Sequence, residues 1–156
     1  MKTLKIINQK NPNNFKKRKN MNKEDCVFCK IVKGNIPSYK IFENESCLAF
    51  LDNANDFYAH TLVIPKKHFV NILDVPQKEL NDVMATIKKV SAHYIEKCGF
   101  DGVNIFNANG KSAEQSVFHL HFHIVPRKNN DGLKIFPTGE KENYDLNEIS
   151  EKLRIG

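Results

Sequence analysis

The strongest constraint on the fold is the segment FHLHFHIVPR, residues 118–127, in which histidines and apolar residues alternate. Successive side chains of a strand point to opposite faces, so His119, His121 and His123 are expected on one face, about 6–7 Å apart. The apolar residues that share the other face and are expected to pack into the core are Leu120, Phe122 and Ile124. The segment therefore predicts a strand with one face made of imidazoles.

Three imidazoles on one face suit two kinds of chemistry. They can share one metal ion, as in three-histidine catalytic zinc sites. Alternatively, one imidazole attacks a phosphorus centre while its neighbours bind the phosphate, because a pKa of about 6.5 leaves histidine largely neutral at pH 7. The alternation alone leaves both open. An ordinary solvated strand face does not need histidines, since serine, threonine or lysine would serve it.

The rest of the chain predicts an α+β domain with a mainly antiparallel sheet, because the first strands are joined by short turns. Strands are expected over residues 39–43, 47–52, 60–65, 102–108 and 117–126, and helices within 23–37, over 77–97 and within 143–155. The long helix is expected to bury one face, made of Leu80, Val83, Met84, Ile87, Val90, Tyr94 and Ile95.

Composition indicates one soluble domain, with 40% hydrophobic and 27% charged residues in a chain of 156. No apolar run approaches the roughly 20 residues of a membrane span, and no secretory signal is evident, so we expect a cytoplasmic protein. The net charge of +6 belongs to residues 1–20, which hold seven basic residues and no acidic one. Residues 21–156 hold 17 basic and 18 acidic residues, a net charge of −1. We predict a disordered basic extension over 1–20, with nucleic acid as a partner only through weak contact by it.

A Cys-x-x-Cys pair, Cys26 and Cys29, stands in the first predicted helix. Without a secretory signal the thiols are expected to be reduced, which favours metal binding or redox chemistry over a disulfide. The other two cysteines, Cys47 and Cys98, are expected to be inert thiols.

Four segments together resemble the histidine triad (HIT) superfamily of nucleotide hydrolases and transferases. Its signature, His-φ-His-φ-His-φ-φ with φ apolar, is matched by HLHFHIV. The segments are CVFCKIVKGNIPS, CLAFLD, HTLVIPKKH and EQSVFHLHFHIVPR, in the family's order and spacing over residues 25–127. A histidine at the third triad position, His123, favours the hydrolase branches over the uridylyltransferase branch, which has glutamine there.

The resemblance implies the HIT fold, an α+β domain around a five-stranded antiparallel sheet with one long helix and short terminal helices. The domain would span residues 21–156, with a C-terminal tail from about residue 128. The family is usually a homodimer, built across the long helix and a sheet edge, and the same is expected here.

The resemblance also implies a reaction on an AMP-type purine nucleotide. His121 would attack the α-phosphorus of a nucleoside phosphoramidate or dinucleoside polyphosphate and become transiently nucleotidylated, and water would then release a nucleoside monophosphate. His123 and His60 would assist at the phosphate and leaving group, with His119 beside the nucleophile. No divalent ion is implied at the chemical step.

Substrate contacts follow from the same resemblance. Asp52 would hold the ribose hydroxyls, and Gln115 and Ser116 would contact the phosphate. The residues implied to line the base pocket are Phe28, Ile31, Phe50 and Leu62. Two positions depart from the family: Ala108 replaces an amide side chain near the α-phosphate, and Glu114 replaces a glycine. Asn107 and Asn109 stand on either side of Ala108, and Asn107 is expected to contact the nucleotide.

Many bacterial members pair the Cys-x-x-Cys with two histidines, so the resemblance implies a structural zinc ion on Cys26, Cys29, His68 and His119. Two rival functions remain at this level. One is a zinc-dependent hydrolase in which all three triad histidines bind the metal. The other is a nucleotide-binding interaction module whose basic extension contacts nucleic acid.

Overall fold

The computed structural model describes residues 23–54, 56–135 and 142–155 and is built around one five-stranded sheet. The strands are β1 (Lys40–Glu43), β2 (Cys47–Leu51), β3 (Thr61–Pro65), β4 (Gly102–Phe106) and β5 (Phe122–Arg127), and the helices are α1 (Val27–Val32), α2 (Gln77–Glu96) and α3 (Leu146–Leu153). The strand order is β1-β2-β3-β5-β4, with every neighbouring pair antiparallel. The predicted α+β fold is confirmed. The predicted basic extension over 1–20 lies outside the described residues.

The sheet separates two apolar cores because side chains alternate along its strands. In β2, Leu48 and Phe50 belong to the core on the α1 side, whereas Cys47 and Ala49 belong to the core on the α2 side. The α1 side is completed by Phe28, Ile31, Leu62 and Ile64, and the α2 side by Val63, Val83, Ile87, Val90, Tyr94, Leu120, Phe122 and Ile124. A site on the α1 face therefore rests on a sheet whose other face is packed.

Helix α2 agrees with its predicted range to within one residue, since it ends at Glu96 rather than at residue 97. Its buried face, however, contains fewer residues than predicted. Val83, Ile87 and Val90 are buried, as expected. Met84 and Ile95 were expected in the core and instead are 45% and 44% exposed. A spacing of eleven residues is slightly more than three helical turns, so these two lie on the same side of the helix. The face pattern alone does not show where the core ends.

Strand β5 is shorter than predicted, since it begins at Phe122 rather than at residue 117. Its pairing with β3 runs only from Thr61↔Ile124 to Val63↔Phe122. Before that point the backbone N–H of Leu120 donates to the carbonyl of Phe69 at 2.6 Å, so this part of the chain bonds to the loop after β3 instead of to the sheet. The first two triad histidines therefore precede the strand.

The C-terminal helix α3 begins at a capped end. The Asp145 side chain accepts from the backbone N–H groups of Asn147 and Glu148, which satisfies two donors of the first turn. The helix lies inside the predicted range 143–155 and buries none of its residues. Across the described parts of the chain, no helix combines the length and apolar character that a membrane crossing requires.

Candidate active site

The three triad histidines face the α1 side of the sheet, as the alternation predicts. The edge of the Phe28 ring is directed at His119 and at His121, with ring centroids 5.8 and 5.3 Å apart. The centroids of His121 and His123 are 5.0 Å apart. His119 is fully buried, His121 nearly so, and His123 partly exposed. The three apolar residues that alternate with them, Leu120, Phe122 and Ile124, are buried on the α2 side.

One nitrogen of His121 is committed to the backbone. Its Nδ1 lies 2.7 Å from the carbonyl oxygen of His119, which only accepts hydrogen bonds, so Nδ1 carries the proton. Burial is the main cause that lowers the pKa of His121, so the ring is neutral near pH 7. A neutral ring with its proton on Nδ1 has an unshared pair on Nε2, which is what a nucleophile requires.

His123 is joined to a histidine from a different part of the chain. The Nε2 atom of His60, the residue before β3, lies 2.9 Å from Nδ1 of His123. Burial, followed by the nearby His121 and His60, lowers the pKa of His123 to about 4. The structure thus brings His60, His121 and His123 into one cluster, as the sequence analysis expected of them.

Two carboxylates lie beside His60. Asp56 Oδ1 is 2.7 Å from Nδ1 of His60, whereas Asp52 Oδ2 is 3.7 Å from it, beyond hydrogen-bond distance. Asp52 also accepts from the backbone N–H of Ala54 and keeps part of its carboxylate exposed. Asp52 is therefore near the histidines and accessible, which is compatible with the role at the ribose predicted for it.

A second cluster is formed by Cys26, Cys29, His68 and His119, whose ligand atoms all lie within 4.8 Å of one another. The Nδ1 atom of His119 is 3.4 Å from Cys26 Sγ and 3.6 Å from Cys29 Sγ. Nδ1 of His68 is 3.3 Å from Cys29 Sγ. A tetrahedral ion bonded at about 2.3 Å to sulfur and about 2.0 Å to nitrogen separates such atoms by about 3.5 Å, so the four residues fit a zinc ion.

The protonation states in this cluster suit a cation. Burial lowers the pKa of His68 and lowers that of His119 to about 4, which keeps both rings neutral as metal ligands must be. Nε2 of His119 lies 2.9 Å from the carbonyl of Pro65, so it is the protonated nitrogen and Nδ1 has the free pair. Burial and then the neighbouring Cys26 raise the pKa of Cys29 to about 11, because both disfavour a thiolate at this position. A bound cation would favour the thiolate and so lower that pKa.

The triad does not converge on one point, which disfavours the predicted alternative of a three-histidine catalytic metal. His119 is directed to the cysteine pair, and within the described ranges the other close group of potential ligands is Asp52, His60 and His123. In that group His60 Nε2 and His123 Nδ1 already share one hydrogen bond, and His60 Nδ1 is paired with Asp56. These nitrogens therefore have partners without a metal.

The loop before the triad is tied to the backbone of His121 by amide side chains. Asn107 donates through Nδ2 to the carbonyl of His121 at 2.8 Å and accepts through Oδ1 from Asn109 at 2.5 Å. Asn109 in turn accepts from the backbone N–H of Ile72. Asn107, predicted to contact the nucleotide, thus has both ends of its side chain engaged in holding the backbone around His121.

Gln115 has a similar supporting place. Its Nε2 donates to the carbonyls of Val70 and Val117, and its Oε1 accepts from the backbone N–H of Gly110 at 2.8 Å. The side chain is buried, so a direct phosphate contact through it would break these bonds. Gln115 therefore shapes the loop that was predicted to surround the phosphate.

Ser116 and Glu114 flank the buried Gln115 in this loop, and both are exposed, as are Lys111, Ser112 and Ala113 before them. Glu114 has a φ of 63°, a left-handed conformation that favours glycine, which is the residue the family has there. Gly110, with a φ of 94°, makes the turn at the start of the same loop. The exposed hydroxyl of Ser116 keeps the predicted phosphate contact available.

The residues predicted for the base pocket, Phe28, Ile31, Phe50 and Leu62, form one cluster on the α1 side, and all four are buried. Phe28 meets Phe50 edge to face, with centroids 5.7 Å apart, and also contacts the rings of His119 and His121. The cluster thus belongs to the core and also forms an apolar wall beside His121.

Two residues of the site were not predicted as site residues, Asp56 next to His60 and Asn109 next to Asn107. Asp56 lies four positions before His60 in a segment that forms neither a helix nor a strand. That spacing brings side chains together in a helix, but in a loop it indicates nothing by itself. The pair becomes visible only when the loop conformation is known.

The sequence matches known proteins over most of its length. The family model of the HIT domain matches residues 33–130. An uncharacterized HIT-like protein of Methanocaldococcus jannaschii is 43% identical over 129 residues, which is 83% of this chain and 98% of the relative. The adenosine 5'-monophosphoramidase hnt1 of Schizosaccharomyces pombe is 38% identical over 135 residues, covering 83% of this chain and 98% of that protein.

Solved structures agree with the fold. The crystal structure of SMU.412c from Streptococcus mutans superposes with a TM-score of 0.75 at 39% identity, over 86% of this chain and 84% of that chain. The zinc-bound histidine triad family protein of Mycobacterium smegmatis superposes with a TM-score of 0.68 at 37% identity, over 83% of this chain and 91% of that chain.

Proposed function

Because the chain belongs to the HIT domain family, we propose that it is a nucleotidyl hydrolase that acts at the α-phosphorus of nucleoside phosphoramidates or dinucleoside polyphosphates. The observation that carries the proposal is the state of His121, neutral and with Nδ1 bonded to a carbonyl, so that Nε2 is free to attack. The similarity to an adenosine 5'-monophosphoramidase supports this substrate class.

The reaction has two displacements at phosphorus. In the first, Nε2 of His121 forms a bond to phosphorus while the bond to the leaving group breaks, and the leaving group takes up one proton from the His123–His60 pair. In the second, a water oxygen attacks phosphorus, the bond to His121 breaks, and one water proton returns to the pair. For a phosphoramidate the products are AMP and ammonia, and the enzyme regains its starting protonation state.

Substrate placement is proposed to use both walls of the site. The apolar wall beside Phe28 packs on the base, and Asp52 accepts from the ribose hydroxyls. Ser116 and backbone N–H groups of the loop over residues 109–116 bind the phosphate oxygens, whose negative charge grows in the transition state.

The Cys26, Cys29, His68 and His119 cluster is proposed to hold a structural zinc ion, supported by the donor spacing and by the zinc-bound relative. When bound, the ion supplies a crosslink and no chemistry at phosphorus. Because His119 is two residues before His121, and its carbonyl accepts from His121, holding His119 against α1 also positions the nucleophile.

Single-turnover labelling tests the proposal. Enzyme in excess is mixed with adenosine phosphoramidate labelled at phosphorus, stopped with base on the millisecond scale, and separated from free nucleotide. We expect an acid-labile label on the wild-type protein and none on His121→Ala. His93→Ala is the matched control, because His93 is exposed on α2 away from the site, and it is expected to label like wild type.

A His121→Ala protein that still acquires the label would assign the nucleophile to another residue. Wild type that turns over neither substrate class would remove the proposed function itself.

A further inference from the structure

Three side chains form an unbroken line of hydrogen bonds that ends at the site. Asp56 Oδ1 lies 2.7 Å from His60 Nδ1, and His60 Nε2 lies 2.9 Å from His123 Nδ1. The carboxylate is 45% exposed at the outer end, and His60 in the middle is only 5% exposed. The line therefore connects an exposed acid, through the buried His60, to the partly exposed His123.

The acid determines where the protons of the line stand. An ionised carboxylate only accepts, so Nδ1 of His60 must donate and carries the proton. The Nε2 of the neutral ring then accepts, and Nδ1 of His123 donates to it. His123 is left with Nε2 as the nitrogen that can pick up or release a proton at the substrate.

The charged and titratable groups around His60 favour Asp56 in this role. From its own loop His60 faces Asp56 and Asp52, and from the triad it faces His123, with His121 behind that ring. Asp52 is 3.7 Å away, too far to bond. Burial raises the pKa of Asp56, but the hydrogen bond and charge interaction with His60 and the backbone hydrogen bonds together outweigh it, and the net pKa lies below the ordinary value. Asp56 is thus ionised at neutral pH.

The loop conformation supports the pairing. Asp56 Oδ1 also accepts from the backbone N–H of Phe57 at 2.9 Å, and the backbone N–H of His60 donates to the carbonyl of Phe57 at 3.2 Å, which closes a turn between the two residues. Ala59, the residue before His60, has a φ of 58°, a left-handed conformation that costs an alanine free energy. A strained residue next to a functional group indicates that the surrounding contacts hold this conformation.

We propose that Asp56 is a positioning residue that acts through His60 to hold His123 with Nε2 toward the leaving group. The inference rests on the proposed function and deepens it. When the anionic substrate binds, Nε2 of His123 takes up one proton from solvent, and the hydrogen-bonded His60 and the Asp56 carboxylate stabilise the positive charge of the pair. During the first displacement the bond between phosphorus and nitrogen breaks and the leaving amine takes that proton from Nε2. Hydrolysis of the intermediate then returns one water proton to Nε2.

Leaving-group dependence tests the proposal. Adenosine phosphoramidate needs a proton for its leaving amine, whereas the p-nitrophenyl ester of AMP releases nitrophenolate without one. Asp56→Asn keeps the size of the side chain but removes the charge and allows the amide to present a donor to His60. We expect kcat/KM, which reports the first displacement, to fall about 10- to 100-fold for the phosphoramidate, a part of the roughly 100- to 10,000-fold that general-acid catalysis contributes. For the ester we expect kcat/KM to change less than about threefold.

Two further variants separate positioning from simple loss of structure. In a His60→Asn background, adding Asp56→Asn is expected to cost nothing more, because its effect passes through His60. Asp145→Asn is the matched control, since it removes a carboxylate that accepts from backbone N–H groups at α3, and its activity is expected to equal wild type. Equal losses on both substrates, or an undiminished loss in the His60→Asn background, would overturn the proposal.

A spectroscopic measurement does not depend on turnover. Nitrogen-15 spectra of the ligand-free protein are expected to show His60 and His123 as Nδ1–H tautomers, with His60 changing in Asp56→Asn. An Nε2–H tautomer at His60 in wild type would reject the role of Asp56 even if the enzyme is active. If wild type hydrolyses neither substrate, the proposed function fails, and the spectra alone decide whether Asp56 positions His60.

Discussion

At the scale of single residues, identical side chains in the triad differ only in their partners. His119 presents Nδ1 to the cysteine pair because Nε2 is bonded to Pro65. His121 has Nδ1 bonded to the backbone of His119, and His123 has Nδ1 bonded to His60. In each ring, one nitrogen is bonded to a protein group, and this determines which nitrogen stays free. The free nitrogen is Nδ1 in His119 and Nε2 in His121 and His123.

Glu114 is a residue-scale departure whose cost is measurable. Its φ of 63° places a side chain where glycine is preferred. We expect Glu114→Gly to raise the free energy of unfolding by about 0.5–1 kcal/mol and the melting temperature by about 3 °C. Thermal and urea unfolding, with both proteins loaded with zinc to the same degree, measure the change.

The control for Glu114→Gly is the substitution Ala113→Gly. Ala113 precedes Glu114 and does not have a positive φ, so glycine there only adds freedom to the unfolded chain and is expected to lower stability. Equal shifts from both substitutions would show that the φ of Glu114 carries no strain.

At the scale of elements, the segment before β5 has the largest consequence. The alternation of histidines and apolar residues begins at His119, whereas the hydrogen bonds of the sheet begin only at Phe122. Before Phe122 the backbone bonds to the carbonyl of Phe69 and to the side chain of Asn107 instead. Leaving the ladder brings His119 to α1 while His123 stays on the strand. One alternating segment thus contributes His119 to the cluster with the two cysteines and His123 to the hydrogen-bonded pair with His60.

The attachment of α1 to this segment is expected to depend on zinc. The double variant Cys26→Ser, Cys29→Ser should lower bound zinc from about one ion per chain to nearly none, and the melting temperature by about 5 °C or more, because binding to the folded state stabilises it. Metal analysis after dialysis and thermal unfolding measure both quantities.

Cys98→Ser is the control, because Cys98 is exposed and lies after α2, and it should keep its zinc. Full zinc content in the double variant would refute the four-residue site and revive a metal held by the triad.

At the scale of the whole molecule, the two faces of the sheet differ in composition: one is an apolar core, and the other also has the histidines. The α2 face is filled by apolar side chains, with Thr61 and Tyr94 satisfying each other through a 2.6 Å hydrogen bond. The α1 face combines an apolar cluster with the histidines. Packing on one face therefore holds the strands that carry the polar groups of the other.

The homodimer predicted from the family resemblance belongs to this scale. Met84 and Ile95 on α2, and Ile105 on the edge strand β4, are large apolar residues that the protomer leaves about 45% exposed. We propose that a second copy covers them. Met84→Glu is expected to shift the chain from dimer to monomer in light scattering coupled to size-exclusion chromatography, because it places a charge in an apolar contact.

Lys33→Glu also adds a glutamate at an exposed position, but after α1 on the other side of the sheet, and should stay dimeric. A monomeric wild type at micromolar concentration would reject the dimer.

Periodicity by itself determined most of the fold. Alternation predicted which side chains of the triad segment are buried in the α2 core, and the helical spacing predicted α2 to within one residue of its end. These predictions hold because side-chain direction repeats every two residues in a strand and about every 3.6 in a helix, whatever the neighbours are. The family motifs added the candidate site residues. The structure places the four predicted metal ligands in one cluster and three of the four histidines predicted to be catalytic in another.

Only the tertiary structure decided how those groups are used. The sequence shows three equivalent histidines, but the contacts with α1, with the backbone of the triad segment and with His60 give each a different free nitrogen. The same holds for Asp56, which sequence reasoning passed over, and for Met84, which it buried wrongly. Hydrogen bonds between distant segments and the edge of a core depend on how loops return through space, and a local pattern has no information about that.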